Sequence, residues 1–153
     1  MVVNATAGAV SLEALDLAGE ENLNGKVLVD VSNPLDFSKG MPPTLWVSNT
    51  DSLGEQIQRR FVEAKVVKTL HTMNAYLMVD PAQLAEAEHT VFVCGDDAEA
   101  KAQVIGLLRS FGWTDILDLG DISAARGTEM IMPIWLRLFG AIQKPVFNFK
   151  IVR

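Results

Sequence analysis

Apolar residues fall into short, nearly continuous runs rich in β-branched side chains, separated by stretches that repeat at helical spacing. The runs are Val2 to Thr6, Lys26 to Ser32 (K-V-L-V-D-V-S), Ala64 to Leu70 (A-K-V-V-K-T-L), His89 to Cys94 (H-T-V-F-V-C) and Thr114 to Leu119 (T-D-I-L-D-L). Runs of this kind suit strands covered on both faces. Their alternation with helical patterns predicts an α/β fold, a mostly parallel sheet with helices on both faces. The final segment, Pro145 to Arg153, alternates Val146, Asn148, Lys150 and Val152 against Phe147, Phe149 and Ile151. That pattern predicts a strand with one more exposed face.

Ser11 to Ala18 reads as a helix that stops before Gly19. Ser52-Leu53-Gly54-Glu55 has the form of a capping box, in which the serine hydroxyl takes the N3 amide and the glutamate reaches back. Leu53, Ile57 and Phe61 then recur at four-residue spacing, one buried stripe. Asp97 opens another helix, with Ala100, Val104, Leu107, Leu108 and Phe111 on one face and Gly112 as its stop. The longest helical candidate runs from Ile122 to about Ile142, with Met130, Ile134, Leu138 and Ile142 in one stripe. Pro133 is expected to bend it or to start its second part. Arg126 and Glu129, three apart, are placed to pair with each other. Between Asn33 and Pro43, the residues Pro34, Gly40, Pro42 and Pro43 predict a long loop at the carboxyl end of a strand.

The chain has 153 residues, 49% of them hydrophobic and 21% charged. This is globular composition, and the length suits a single domain over 1–153, with a C-terminal helix and strand at about 122–153. Basic residues number 13 against 19 acidic ones, for a net charge of −6. Such a surface repels phosphate backbones and argues against nucleic acid as a partner. No run of 18 apolar residues occurs, so no membrane span is expected. The N-terminus lacks the basic start and apolar stretch of a signal peptide, and a cytoplasmic protein is the expectation. One cysteine, Cys94, excludes an internal disulfide, and with only His71 and His89 beside it a structural zinc site is not expected.

In parallel α/β sheets, ligands bind beyond the carboxyl ends of the strands. Three ends turn polar in the same way: Asn4-Ala5-Thr6-Ala7-Gly8, Val31-Ser32-Asn33-Pro34 and Lys68-Thr69-Leu70-His71-Thr72-Met73-Asn74. Small and amide-bearing residues there let a flat ligand approach the backbone and find hydrogen bonds. Asn and Thr at such places also cap the helices that follow. The sequence holds no G-x-G-x-x-G after a strand, no Walker-A spacing, no G-x-S-x-G and no H-E-x-x-H. Cys94, at the end of a buried strand, reads as a small hydrophobe and not as a nucleophile.

The blocks V-V-N-A-T, G-K-V-L-V-D-V-S-N-P-L, V-V-K-T-L-H-T-M-N-A, V-F-V-C-G-D-D-A-E-A-K and D-L-G-D-I-S-A-A-R-G-T-E follow one another in this order. Together they resemble the later part of the NADP oxidoreductases that reduce or oxidise the deazaflavin coenzyme F-420 (F420). The NADPH-binding domains of the six-transmembrane metalloreductases are similar at greater distance. The resemblance covers essentially the whole chain. It implies a Rossmann-like dinucleotide domain with a small C-terminal element, and hydride transfer between NADPH and a deazaflavin or flavin-type acceptor. It also implies that the sequence begins after the first βαβαβ half, so that about 60 residues carrying the phosphate loop and the 2′-phosphate selector are lacking. NADP binding by this chain alone is then expected to be weak or absent.

By the same resemblance, Asn33 and Pro34 sit beside the nicotinamide half of NADP, and Ala5 and Thr6 line the cofactor edge. His71, where family members tend to carry Asn, hydrogen-bonds cofactor or substrate. Asn74 orients the deazaflavin or caps a helix from Ala75 to Val79. No catalytic acid or base and no metal is expected, since hydride transfer between two bound cofactors needs positioning more than proton transfer. The expected partners are a small-molecule cofactor or substrate and a second copy of the chain. Family members form dimers, and without the first half the Val2 to Thr6 strand becomes an unpaired apolar edge. The alternative is a non-catalytic Rossmann-like remnant acting as a binding or oligomerisation module.

Overall fold

The computed structural model describes all 153 residues. Its strands are β1 (Val2–Asn4), β2 (Val27–Asp30), β3 (Leu35–Asp36), β4 (Thr44–Leu45), β5 (Lys65–Thr69), β6 (Thr90–Cys94) and β7 (Asp115–Asp118). Its helices are α1 (Ser11–Ala18), α2 (Glu20–Leu23), α3 (Leu53–Arg60), α4 (Ala75–Val79), α5 (Ala98–Ser110), α6 (Ala125–Glu129) and α7 (Met132–Ile142). Five strands make one sheet in the order β1-β2-β5-β6-β7. β1, β2 and β5 run parallel, β6 runs against β5, and β7 runs parallel to β6. The sheet is thus mostly parallel with one antiparallel pairing. The connection from β5 to β6 passes through α4 and two short 3₁₀ turns, and a parallel neighbour would need a crossover back to the other edge. As a result the carboxyl ends of β1, β2 and β5 share one edge of the sheet, and those of β6 and β7 lie on the other.

Successive strand residues point to opposite faces, and the core divides accordingly. Val27, Val29, Val67, Val91 and Val93 pack with Leu77 of α4, with Ala100, Val104 and Leu108 of α5, and with Trp113. Leu28 and Val66 face the other way, against Leu15 of α1, Leu23 of α2, Leu53 and Ile57 of α3, and Phe61 just past its end. The α3 and α5 stripes expected from spacing are therefore the buried faces. Each large side chain in them contributes about 1.5–3 kcal/mol on burial. Both helices are capped as their sequences suggest. Ser52 Oγ accepts Glu55 N at 3.1 Å, and Asp97 Oδ1 accepts Ala100 N at 2.7 Å. The Glu55 carboxylate takes the Ser52 hydroxyl at 2.7 Å and is held by Arg126, so it does not reach back to an amide.

Four expectations change. The stretch from Ile122 to Ile142 is not one helix: a 3₁₀ turn at Ile122–Ala124 leads into α6, and the second part begins as α7 with Pro133 in its first turn, as expected of that proline, where its missing amide is no loss. The long loop after Asn33 contains β3, which pairs antiparallel with β4 through Leu35↔Leu45 and Asp36↔Thr44. Pro145 to Arg153 is an extended segment and not a strand. Its backbone bond to the sheet runs from Thr90 N to Phe149 O at 2.9 Å, and side chains make most of its other attachments. Arg126 and Glu129 do not pair with each other, because Glu55 takes the arginine and Lys68 takes the glutamate. β1 is an edge strand bonded only to β2.

Candidate functional site

Asn4, Asp30 and Lys68 occupy matching positions on β1, β2 and β5, at the edge where the three carboxyl ends meet. All three are buried. A charge in that setting has to be paired. Lys68 Nζ lies 2.7 Å from Asp30 Oδ2, 2.6 Å from the Ser32 carbonyl and 3.0 Å from Glu129 Oε1 of α6. Three ammonium protons meet three acceptors. Asp30 Oδ1 in turn accepts from Asn4 Nδ2 at 2.8 Å, Ser32 Oγ at 2.7 Å and Ser32 N at 3.2 Å. The Glu129 carboxylate also accepts the first amides of α3, Leu53 N at 2.9 Å and Gly54 N at 3.0 Å. Burial pulls the Lys68 pKa down, but Asp30 and Glu129 outweigh it and leave it above the ordinary lysine value.

This network fixes the turn after β2. Ser32 is held at its amide, its hydroxyl and its carbonyl. Asn33 Nδ2 donates to the His71 carbonyl at 2.8 Å, tying the turn to the end of β5. The Asn33 carbonyl lies so close to Gly8 that a Cβ there would stand 1.9 Å from it. Asn33 Oδ1 is buried and has no partner. Beside these groups a cleft of about 270 Å³ opens at the ends of β1 and β2, with Thr6, Ala7, Gly8, Ser32, Asn33 and Phe37 in its wall. A wider cleft of about 580 Å³, between Arg59, Lys65, Asp96 and Asp97, lies at the amino end of β5. That edge lies away from the carboxyl ends of β1, β2 and β5, beside the end of β6.

The expected site residues are distributed as follows. Ala5 is exposed on the turn after β1. Thr6 is half-buried, and its Oγ1 donates to Asn4 Oδ1 at 2.7 Å beside Ser11 Oγ at 2.9 Å. Pro34 is buried and its carbonyl accepts Trp46 N at 3.1 Å. His71 is buried, and neither ring nitrogen has a hydrogen-bond partner. Burial, with the Lys68 charge behind it, holds the His71 pKa well below the usual imidazole value, so the ring is neutral. Asn74 Oδ1 accepts Tyr76 N at 2.9 Å and caps α4. The structure thus brings Thr6 and Asn33 to one cleft, with Ala5 adjoining. His71 reaches Asn33 through its main chain, and Asn74 stands outside the cleft wall. Cys94 is buried, and burial pushes its thiol pKa up to about 12.

The sequence reading passed over Asp30, took Asn4 and Lys68 only as members of polar strand ends, and took Glu129 only as a partner for Arg126. A signal was present: V-L-V-D-V places one charge, and A-K-V-V-K-T-L two, inside runs that must be covered on both faces. Such charges are almost never fully buried unless paired.

No protein-family model matches the chain. A solved protein of Arthrobacter sp. FB24, described as a candidate F420-dependent NADP reductase, superposes on 100% of this chain with a TM-score of 0.98 and 65% identity, and the chain covers 70% of it. The chain belongs to the F420-dependent NADP reductase family. The F420-dependent NADP reductase of Methanocaldococcus jannaschii is 30% identical over 120 residues, 78% of this chain and 53% of the relative. Rat metalloreductase STEAP3 is 32% identical over 119 residues, 75% of this chain and 22% of the relative. The chain therefore spans about half of the archaeal reductase and about a fifth of the metalloreductase. As a member of an NADP-dependent oxidoreductase family, it keeps the sheet edge where such folds bind their ligands. No helix is long and apolar enough to cross a membrane.

Proposed function

We propose that this chain holds the nicotinamide-ribose end of NADP(H) while hydride passes between that cofactor and a deazaflavin or flavin-type acceptor. The observation that carries the reading is Asn33. Its amide nitrogen is anchored on His71 O and its backbone is seated on Gly8, while its buried Oδ1 lacks a donor and the residue forms part of the wall of the strand-end cleft. A buried acceptor in that state costs about 1–3 kcal/mol until something donates to it. A carboxamide NH₂ or a ribose hydroxyl supplies that donor. Ala5, Ala7 and Gly8 are small enough for a flat ring to reach the backbone. Pro34 and the His71 carbonyl keep the turn in place, Thr6 is tied into the network beneath it, and Asn74 caps α4.

The cofactor supplies the hydride chemistry, and the chain's residues position it without an acid or base. The cleft is near the lower end of ligand-cavity sizes, about 300–1,000 Å³, which suits a nicotinamide-ribose fragment better than a whole dinucleotide. Pyrophosphate has no loop among these residues, and the two first amides of α3 are committed to Glu129. We place the protein in the cytoplasm as a dimer. The exposed Ile134, Phe139 and Ile142 of α7 are an apolar surface available to a second copy. The commitment of the first α3 amides to Glu129 favours a second reading, a non-catalytic binding or oligomerisation module.

Asn33→Ala separates these readings. The expected result is a fall of about tenfold in NADPH oxidation by F420, roughly the worth of one hydrogen bond in the transition state. The loss of stability should not exceed about 1 kcal/mol, read from the melting temperature. An unchanged rate with a much lower melting temperature makes Asn33 structural. Wild-type chain with neither turnover nor NADPH affinity is the binding module.

A further inference from the structure

β6 begins at two buried side chains, His89 and Thr90, and the last nine residues of the chain are fastened to them. His89 Nε2 lies 3.0 Å from the Pro81 carbonyl oxygen, and Nδ1 lies 2.8 Å from Asn148 Nδ2. A carbonyl oxygen only accepts, so Nε2 carries the proton. Nδ1 is then the bare nitrogen of a neutral imidazole and accepts from Asn148. Asn148 Nδ2 also donates to the Thr90 carbonyl at 3.1 Å. Thr90 N donates to Phe149 O and Ile151 N donates to Thr90 Oγ1, both at 2.9 Å. Phe147, in the same segment, stacks on Trp135 of α7 with ring centres 4.9 Å apart.

A second proton on His89 does not fit this arrangement. An imidazolium donates from both nitrogens, so its Nδ1–H would face the Asn148 NH₂ group. Turning the amide over would offer Oδ1 to the ring, but it would also set that oxygen against the Thr90 carbonyl at the same 3.1 Å. The neighbouring charges are already matched. Glu88 pairs with Lys150 at 3.1 Å, and Asp115 of β7 pairs with Arg153 at 2.7 Å and takes the Thr90 hydroxyl. Trp113 packs against the ring at nearly a right angle, with centroids 4.9 Å apart. We propose that His89 and Asn148 form a protonation-sensitive catch, which holds the Pro145–Arg153 strap on β6 while His89 is neutral. When His89 takes a second proton the strap is freed and the Trp135–Phe147 contact opens.

The test is amide hydrogen exchange resolved by residue, without nucleotide, expressed as protection factors from pH 8 to pH 5. Protection of Thr90 and Ile151 is expected to fall about tenfold or more on acidification, while Val67 and Val93 keep theirs. Asn148→Asp reverses the slope at Ile151, because a carboxylate accepts from the imidazolium and opposes the neutral ring. His89→Gln abolishes the slope. Flat protection at Ile151 in the wild type overturns the proposal. So does a slope that persists in His89→Gln or keeps its sign in Asn148→Asp. Loss of Val93 protection in step with Ile151 overturns it too, since that is global unfolding.

Discussion

Lys68→Met is expected to destabilise the fold by about 3–5 kcal/mol, the usual cost of removing one partner from a buried ion pair. Methionine keeps most of the lysine's length and volume, so the effect is not a cavity. What it removes is the ammonium between Asp30 and Glu129, leaving two buried carboxylates without their shared cation and the Ser32 carbonyl without its donor. Lys68 is completely inaccessible, and solvent cannot screen the two carboxylates that remain. Urea unfolding measures the difference directly. A loss under about 1 kcal/mol would show that the ammonium does not hold the turn after β2.

Gly8→Ala has the next largest expected effect, a loss of about 1–3 kcal/mol from overpacking. The added methyl would stand 1.9 Å from Asn33 O and 2.6 Å from Asn33 C, with Leu53 Cδ2 at 3.0 Å. Two of these three neighbours are backbone, and that backbone cannot move cheaply. Lys68 grips the carbonyl of Ser32, and Asn33 is tied to the end of β5. The strain should therefore appear both in the melting temperature and as a shift of the Asn33 side-chain amide signal. Unchanged stability with an unmoved Asn33 signal would mean that the two turns are not locked together.

The layers of the fold were legible because apolar spacing reports burial. Leu53, Ile57 and Phe61 fill one face of the sheet, and Ala100, Val104 and Leu108 fill the other, as their periodicity implies. The direction of β6 was not legible, since a buried strand reads the same in either sense. Nor was the state of Pro145 to Arg153. Alternation there reflects Phe147 stacking on Trp135 and Asn148 reaching His89, contacts that need an extended backbone but no ladder. At the candidate site, the strand ends were found from their amide and small residues. The charges beneath them were not, because register alone brings Asp30 opposite Lys68, and Glu129 arrives from a helix 61 positions further along the chain than Lys68. Asn33 was singled out by type and place. The lack of a donor for its Oδ1 is visible only in three dimensions.

The most direct test of the central claim, that the β1 and β2 ends receive the nicotinamide side of NADP(H), is an amide-resolved NMR titration of the chain with NADPH. Shifts are expected at Thr6, Ala7, Gly8 and Asn33, including the Asn33 side-chain amide. The affinity should be weaker than about 0.1 mM, or about −5.5 kcal/mol, because these residues include no pyrophosphate loop. Shifts that gather instead around Lys65 and Asp96 at the opposite edge, or an unmoved Asn33 at millimolar NADPH, would contradict it.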